Sequence, residues 1–214
     1  MDNILNIIMQ IAVLVFAVVV HEVSHGFVSY LLGDPTAKEQ GRLTFNPVAH
    51  LDPFMSVILP AFLIFSGSPF VIGGAKPVPV NPIFYKNHKK GIILVSLAGP
   101  GSNFLLAALT IGLLAIAVRV PFININNMPG LYLFIKYMII INVILGVFNL
   151  IPVPPLDGSK VLMALLPDDI AFKYESIAPF GIFIIILLLM LNILNLIFAP
   201  VFYFLQMIIT FVTS

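Results

Sequence analysis

Ile4 to Leu32, ILNIIMQIAVLVFAVVVHEVSHGFVSYLL, is an apolar run that carries His21-Glu22-Val23-Ser24-His25 near its end. About 20 apolar residues suffice to cross a bilayer as a helix, so the motif sits within a stretch able to lie in lipid. Two imidazoles four residues apart share one helix face. That is the geometry for binding one zinc ion, and the carboxylate beside the first His can accept a proton from water that the metal activates. An ionisable side chain inside a membrane segment is costly and marks a functional site by default. The competing explanation is a group of helix-end residues snorkelling to the interface, and three such residues on about one turn weigh against it.

The rest of the composition agrees. The chain has 214 residues, 60% of them hydrophobic and only 9% charged, with a mean hydropathy of +1.12. A soluble domain averages about 25% charged residues, so this is an integral membrane protein. The net charge of +1 comes with no basic patch, which excludes a nucleic-acid partner. There is no cysteine, so a zinc site must be built from His and carboxylates. The N-terminus has neither a basic region nor a small-residue cleavage site, and a removed signal peptide is not expected.

Three further apolar runs are long enough to span: Gly91 to Val118, Leu131 to Ile151, and Ile177 to Val212, the last read as two helices divided at Pro200. The expected fold is therefore an all-α polytopic membrane protein of about five spanning helices, organised as one domain over residues 1–214. Its catalytic core is 4–158 and its C-terminal helical hairpin is 177–213. Basic residues favour the cytoplasmic side. Lys38 and Arg42 follow the first span, Lys76, Lys86, Lys89 and Lys90 precede the second, and Lys160 and Lys173 follow the third, against Arg119 alone in the loop after Val118. This pattern places the N-terminus outside and the His21 site toward the cytoplasm. It requires Phe54 to Ile72 to be re-entrant rather than spanning. The same conclusion follows if Asp157, just past the third span, is to share a metal with His21.

Val71 to Asn81 combines β-branched residues, a Gly-Gly pair and prolines that bar a central sheet position. It reads as a short membrane-associated β-hairpin with a free edge, where Val78 and Val80 would hold an extended substrate as an added strand.

Catalytic zinc usually has three protein ligands. Asn149-Leu150-Ile151-Pro152-Val153-Pro154-Pro155-Leu156-Asp157-Gly158 offers the candidate third. Its prolines cannot continue a helix, which puts Asp157 on an irregular turn. From the residues alone Asp157 is either a ligand or the Asp-Gly turn that caps a helix from Ser159. Asp34, His50 and Asp52 compete on residue type only. Asn103 and Asn149 are candidates for contacting the substrate backbone or an oxyanion. Interhelical hydrogen bonding explains each equally well, and explains Asn142 better.

These stretches together resemble the site-2 protease family of intramembrane zinc metalloproteases. The resemblance is carried by His21-Glu22-Val23-Ser24-His25, by Ala98-Gly99-Pro100-Gly101-Ser102-Asn103-Phe104, and by Asn149 to Gly158. Asn46-Pro47, His50-Leu51-Asp52-Pro53 and Lys76-Pro77-Val78-Pro79-Val80-Asn81 add to it. It implies a three-helix catalytic core and one zinc per chain held by His21, His25 and Asp157. Glu22 would be the general base, and the peptide bond cut would lie in or near a transmembrane segment of a membrane-protein substrate. The sequence has no room for a PDZ insertion between Arg119 and Gly130 and shows no CBS domain. The lipid bilayer is its medium in the cell membrane. A regulatory membrane partner and the oligomeric state are left open. A metal transporter would have no use for Glu22 beside His21 and would be expected to show paired repeats. An inactive relative would be expected to lack one of the four expected catalytic residues.

Overall fold

A computed structural model describes residues 2–58, 62, 73–120 and 128–213. Its main elements are α1 (Asp2–Leu31), α2 (His88–Arg119), α3 (Pro129–Asn149), the short α4 (Asp157–Leu165) and α5 (Asp168–Glu175), α6 (Gly181–Met190) and α7 (Ile193–Thr213). Five stretches among the described residues are long and apolar enough to cross a membrane: Ile4–Leu31, His88–Arg119, Pro129–Asn149, Asp168–Met190 and Ile193–Thr213. The all-α polytopic expectation holds.

Local chemistry sets the ends of these helices. The Asn87 side chain accepts the Lys90 backbone N–H at 3.0 Å and caps α2. Pro129 opens α3 at the one helical position where its missing donor costs nothing. The same helix stops at Asn149, ahead of Pro152, Pro154 and Pro155.

Helices α1, α2 and α3 pack on one another, and α4 and α7 each pack on α2. Ala107 and Leu114 of α2, Ile139 and Val143 of α3, and Leu205 of α7 form one buried apolar cluster, and Ile151, Leu156 and Leu194 form another. In lipid there is little hydrophobic drive to bring helices together, so close packing and polar contacts carry more of the association. Both are present. Gly146 of α3 lies so near the Phe104 ring of α2 that a Cβ there would come within 2.8 Å of it. The Asn103 amide of α2 donates to Asn142 Oδ1 of α3 at 2.8 Å.

Two expectations need correction. The β-hairpin is absent: residues 73–81 run without strand or helix assignment and form no ladder among the described residues. Pro77 and Pro79 stand at alternate positions, so one edge of the segment has lost its N–H donors. The division of the last apolar run is also elsewhere. Pro200 lies inside α7, and the turn comes at Asn192, whose φ is 57°. Asn adopts this left-handed conformation more readily than most residues, while a proline inside a membrane helix is tolerated where neighbouring groups satisfy the freed carbonyl. Of the expected re-entrant segment Phe54 to Ile72, Pro53–Ile58 begins as a π-helical turn, and residues 59–61 and 63–72 lie outside the described residues.

Candidate metal centre

His21 and His25 are buried on the face of α1 that meets α2 and the start of α4. Their Nε2 atoms lie 3.1 Å apart. Asp157 Oδ2 is 3.1 Å from the first and 3.0 Å from the second. Among the described residues, these three form the one cluster of His and acidic side chains able to hold a metal ion.

The hydrogen bonds behind the rings decide which nitrogen faces inward. His25 Nδ1 lies 2.6 Å from the Val95 carbonyl, which can only accept, so Nδ1 carries the proton and Nε2 the lone pair. For His21 the reasoning runs through three residues. Asn142 Nδ2 donates to the Met138 carbonyl at 2.8 Å, which turns Asn142 Oδ1 toward Asn103. Asn103 Nδ2 donates to that oxygen and to the Ala17 carbonyl, which turns Asn103 Oδ1 toward His21 Nδ1 at 2.6 Å. His21 Nδ1 therefore donates, and in the neutral ring the lone pair lies on Nε2.

In the neutral rings, the form in which imidazole binds a metal, the two Nε2 lone pairs and a carboxylate oxygen thus converge. Ligands on a tetrahedral zinc at ~2.0–2.1 Å stand about 3.4 Å apart, close to the separations seen. The donor set fits the metal. Burial by itself raises the Asp157 carboxyl pKa, while the Lys160 ammonium opposes this and favours the ionised form. Lys160 Nζ reaches the outer oxygen, Oδ1, at 2.9 Å.

Gly99 makes the close approach of α2 possible, since a Cβ there would overlap Nε2 of both histidines. Gly158 does the same for the ligand loop, where a Cβ would overlap the Leu150 carbonyl. Asp157 is the first residue of α4, so turn residue and cluster member are one and the same.

A cavity of about 760 Å³ opens on the cluster. Val18, Ile92, Phe148, Met163, Ile185 and Leu189 give it an apolar wall, while Glu22, Ser96, Asn149 and Lys160 are among its few polar groups. Glu22 Oε2 accepts the Val78 backbone N–H at 2.8 Å.

The structure separates the remaining candidates. Asn103 is fully buried and does not line the cavity. Its amide is engaged by His21, Asn142 and Ala17, so a direct substrate or oxyanion contact does not match its position. Asn149 does line the cavity, half-buried, with Nδ2 donating to the Leu145 carbonyl at 3.0 Å. Val78 is buried against α1, and Val80 is exposed on the cavity wall. Asp34 is buried away from the cluster, where it accepts from Ser29, Thr36 and Asn81. His50 is buried with Nε2 on the Thr44 carbonyl, and Asp52 accepts the Phe54 N–H. Sequence reading missed Lys160 and the Val95 carbonyl as parts of the site. The i+3 spacing of Lys160 from Asp157 was the one signal available for any of them.

The family model of Peptidase family M50 matches residues 117–191, which include α3, the proline loop and Asp157. "Putative zinc metalloprotease YwhC" of Bacillus subtilis is 38% identical over 178 residues, covering 82% of this chain and 77% of that protein. The chain belongs to peptidase family M50, the site-2 proteases. "Putative zinc metalloprotease Rip2" of Mycolicibacterium smegmatis is 31% identical over 191 residues, covering 88% of this chain and 69% of its own length. No solved structure matches. Membership agrees with the five apolar helices in making this M50 metalloprotease a multi-pass membrane protein.

Proposed function

We propose that this chain is a zinc-dependent intramembrane endopeptidase that cuts a transmembrane segment of membrane-protein substrates near the cytoplasmic face. One zinc per chain is held by His21, His25 and Asp157, and Glu22 is the general base. Residues 1–214 act as one domain around the 4–158 core, with the N-terminus outside. The observation that carries this reading is the meeting of two imidazole nitrogens and a carboxylate oxygen at one point. A second carboxylate, Glu22, lies on the same apolar-walled cavity.

Held by His21, His25 and Asp157, zinc would supply Lewis acidity for a peptide carbonyl and for water near neutral pH. The chain's own residues do the rest. Glu22 accepts a proton from the attacking water and returns it to the leaving amine nitrogen. Asn103 and Val95 keep His21 and His25 in the tautomer that faces the cavity. The apolar wall accepts the side chains of a membrane segment. A helical substrate hides its carbonyls in its own hydrogen bonds and must unwind locally before attack.

The test is Glu22→Gln in the purified, zinc-loaded protein. The probe is a fluorogenic peptide carrying an apolar stretch of about 20 residues interrupted by a helix-breaking Gly-Pro pair, in detergent micelles. Loss of cleavage with zinc content unchanged supports the assignment. Full activity in Glu22→Gln removes the general base and with it the reading.

A further inference from the structure

In the stretch Val71 to Asn81, Val78 and Val80 were expected to hold substrate; the hydrogen bonds of residues 76–81 point inward. The Lys76 N–H donates to the His50 carbonyl at 2.9 Å. Arg42 Nη2 donates to the Lys76 and Pro77 carbonyls at 2.8 and 3.3 Å. The Asn81 N–H donates to Asp34 Oδ2 at 2.7 Å. Asp34 is completely buried and also accepts from the Ser29 hydroxyl at 2.6 Å and the Thr36 N–H at 3.0 Å. Between these anchors, the Val78 N–H donates to Glu22 Oε2 at 2.8 Å.

The sequence stiffens this strap. Pro77 and Pro79 have fixed φ, and Lys76 and Val78, each preceding a proline, are biased toward extended backbone. Gly26 brings the strap close, since a Cβ there would come within 2.7 Å of Val78 Cγ1 and 2.8 Å of Leu43 Cδ2.

We propose that this strap is a positioning device for the general base: the Val78 N–H, anchored through Asp34 and Arg42, holds one oxygen of Glu22 so that the other is aimed at the metal centre. The proposal rests on the metalloprotease reading above and adds Val78, Asp34 and Arg42 to it as positioning residues. A carboxylate held at one oxygen loses rotational freedom that would otherwise have to be removed during the reaction.

The test uses the full chain loaded with cobalt in detergent, titrated with benzohydroxamate and followed by visible absorption. This small probe chelates the metal and hydrogen-bonds a neighbouring carboxylate, but has no peptide to contact a strand. Glu22→Ala should weaken binding ~10-fold or more, the worth of a hydrogen bond to a charged group. Val78→Pro, which removes the N–H, should weaken it by a similar factor, and by clearly more than Val78→Ala, which keeps the N–H. The decisive result is the double variant: Val78→Pro should add nothing to Glu22→Ala, because it acts through Glu22. Asp34→Asn should behave like Val78→Pro in both backgrounds, and provides the measurement if Val78→Pro does not load cobalt. Wild-type affinity in Val78→Pro and Asp34→Asn, or additive losses in the doubles, would overturn the strap while leaving the enzyme reading intact. An unchanged affinity in Glu22→Ala would overturn both.

Discussion

Replacing Asn103 by Ala should weaken zinc binding without touching a single proposed ligand. The variant removes the Oδ1 that accepts from His21 Nδ1 at 2.6 Å. It also removes the Asn103 amide donor from Asn142 Oδ1, and a second donor from the Ala17 carbonyl. With its acceptor gone, His21 can rotate, or move its proton to Nε2 and present no lone pair to the metal. Loss of an outer-shell partner of a metal-bound His typically costs 10- to 100-fold in metal affinity. That range corresponds to about 1.4–2.8 kcal/mol, more than the ~0.6 kcal/mol average of an interhelical hydrogen bond in a membrane. The assay is competition for zinc against a chromophoric chelator in detergent, with helical content checked by circular dichroism. Asn142→Ala, one step further from the ring, should cost less than Asn103→Ala. Zinc affinity within twofold of wild type in Asn103→Ala would refute the tautomer argument.

Other outcomes follow from the same geometry. Gly99→Ala should abolish zinc binding at near-wild-type helical content, because its Cβ would overlap both imidazole Nε2 atoms; equilibrium dialysis against zinc measures this. Stripping the metal with a chelator should lower the thermal unfolding midpoint, and stoichiometric zinc should restore it, because an ion that binds only the folded state stabilises it. Asp34 supplies a pH dependence. Burial opposes its ionisation, but the Ser29 and Thr36 hydroxyls and the Asn81 and Thr36 N–H groups outweigh this and hold its pKa below the ordinary value. A carboxyl depressed in the folded state contributes stability that is fully present above its unfolded pKa of about 3.9 and is lost as pH falls through the folded value. The unfolding midpoint of Asp34→Asn should therefore lie well below wild type at pH 7, and the gap should narrow below about pH 4.

What could be read from the sequence was what is local. His21 and His25 share a face because a helix repeats every 3.6 residues, and no tertiary knowledge is needed for that. Hydropathy located the spans because lipid constrains each helix separately. Asp157 was ambiguous because a turn residue and a ligand look alike in one dimension, and in the structure it is both the start of α4 and a member of the cluster. The role of Asn103 was not legible. An amide in a membrane helix can face a substrate or a neighbour, and only the placement of Asn142, Ala17 and His21 around it decides between them. The β-branched residues of 71–81 suggested strands, but the tertiary anchors at Asp34, Arg42 and His50 took the backbone groups that a ladder would have used. Pro200 misled for a related reason: proline breaks an isolated helix more surely than one packed among others, and the turn fell at Asn192 instead.

The central claim is that His21, His25 and Asp157 hold one zinc. Elemental analysis of the purified protein and of Asp157→Ala tests it without any knowledge of the substrate. The account predicts about one zinc per chain in the wild type, as a single closed set of three protein ligands requires, and a large loss in the variant. Full zinc retained in Asp157→Ala would contradict it, because the carboxylate that joins the start of α4 to the two histidines of α1 would then not be a ligand.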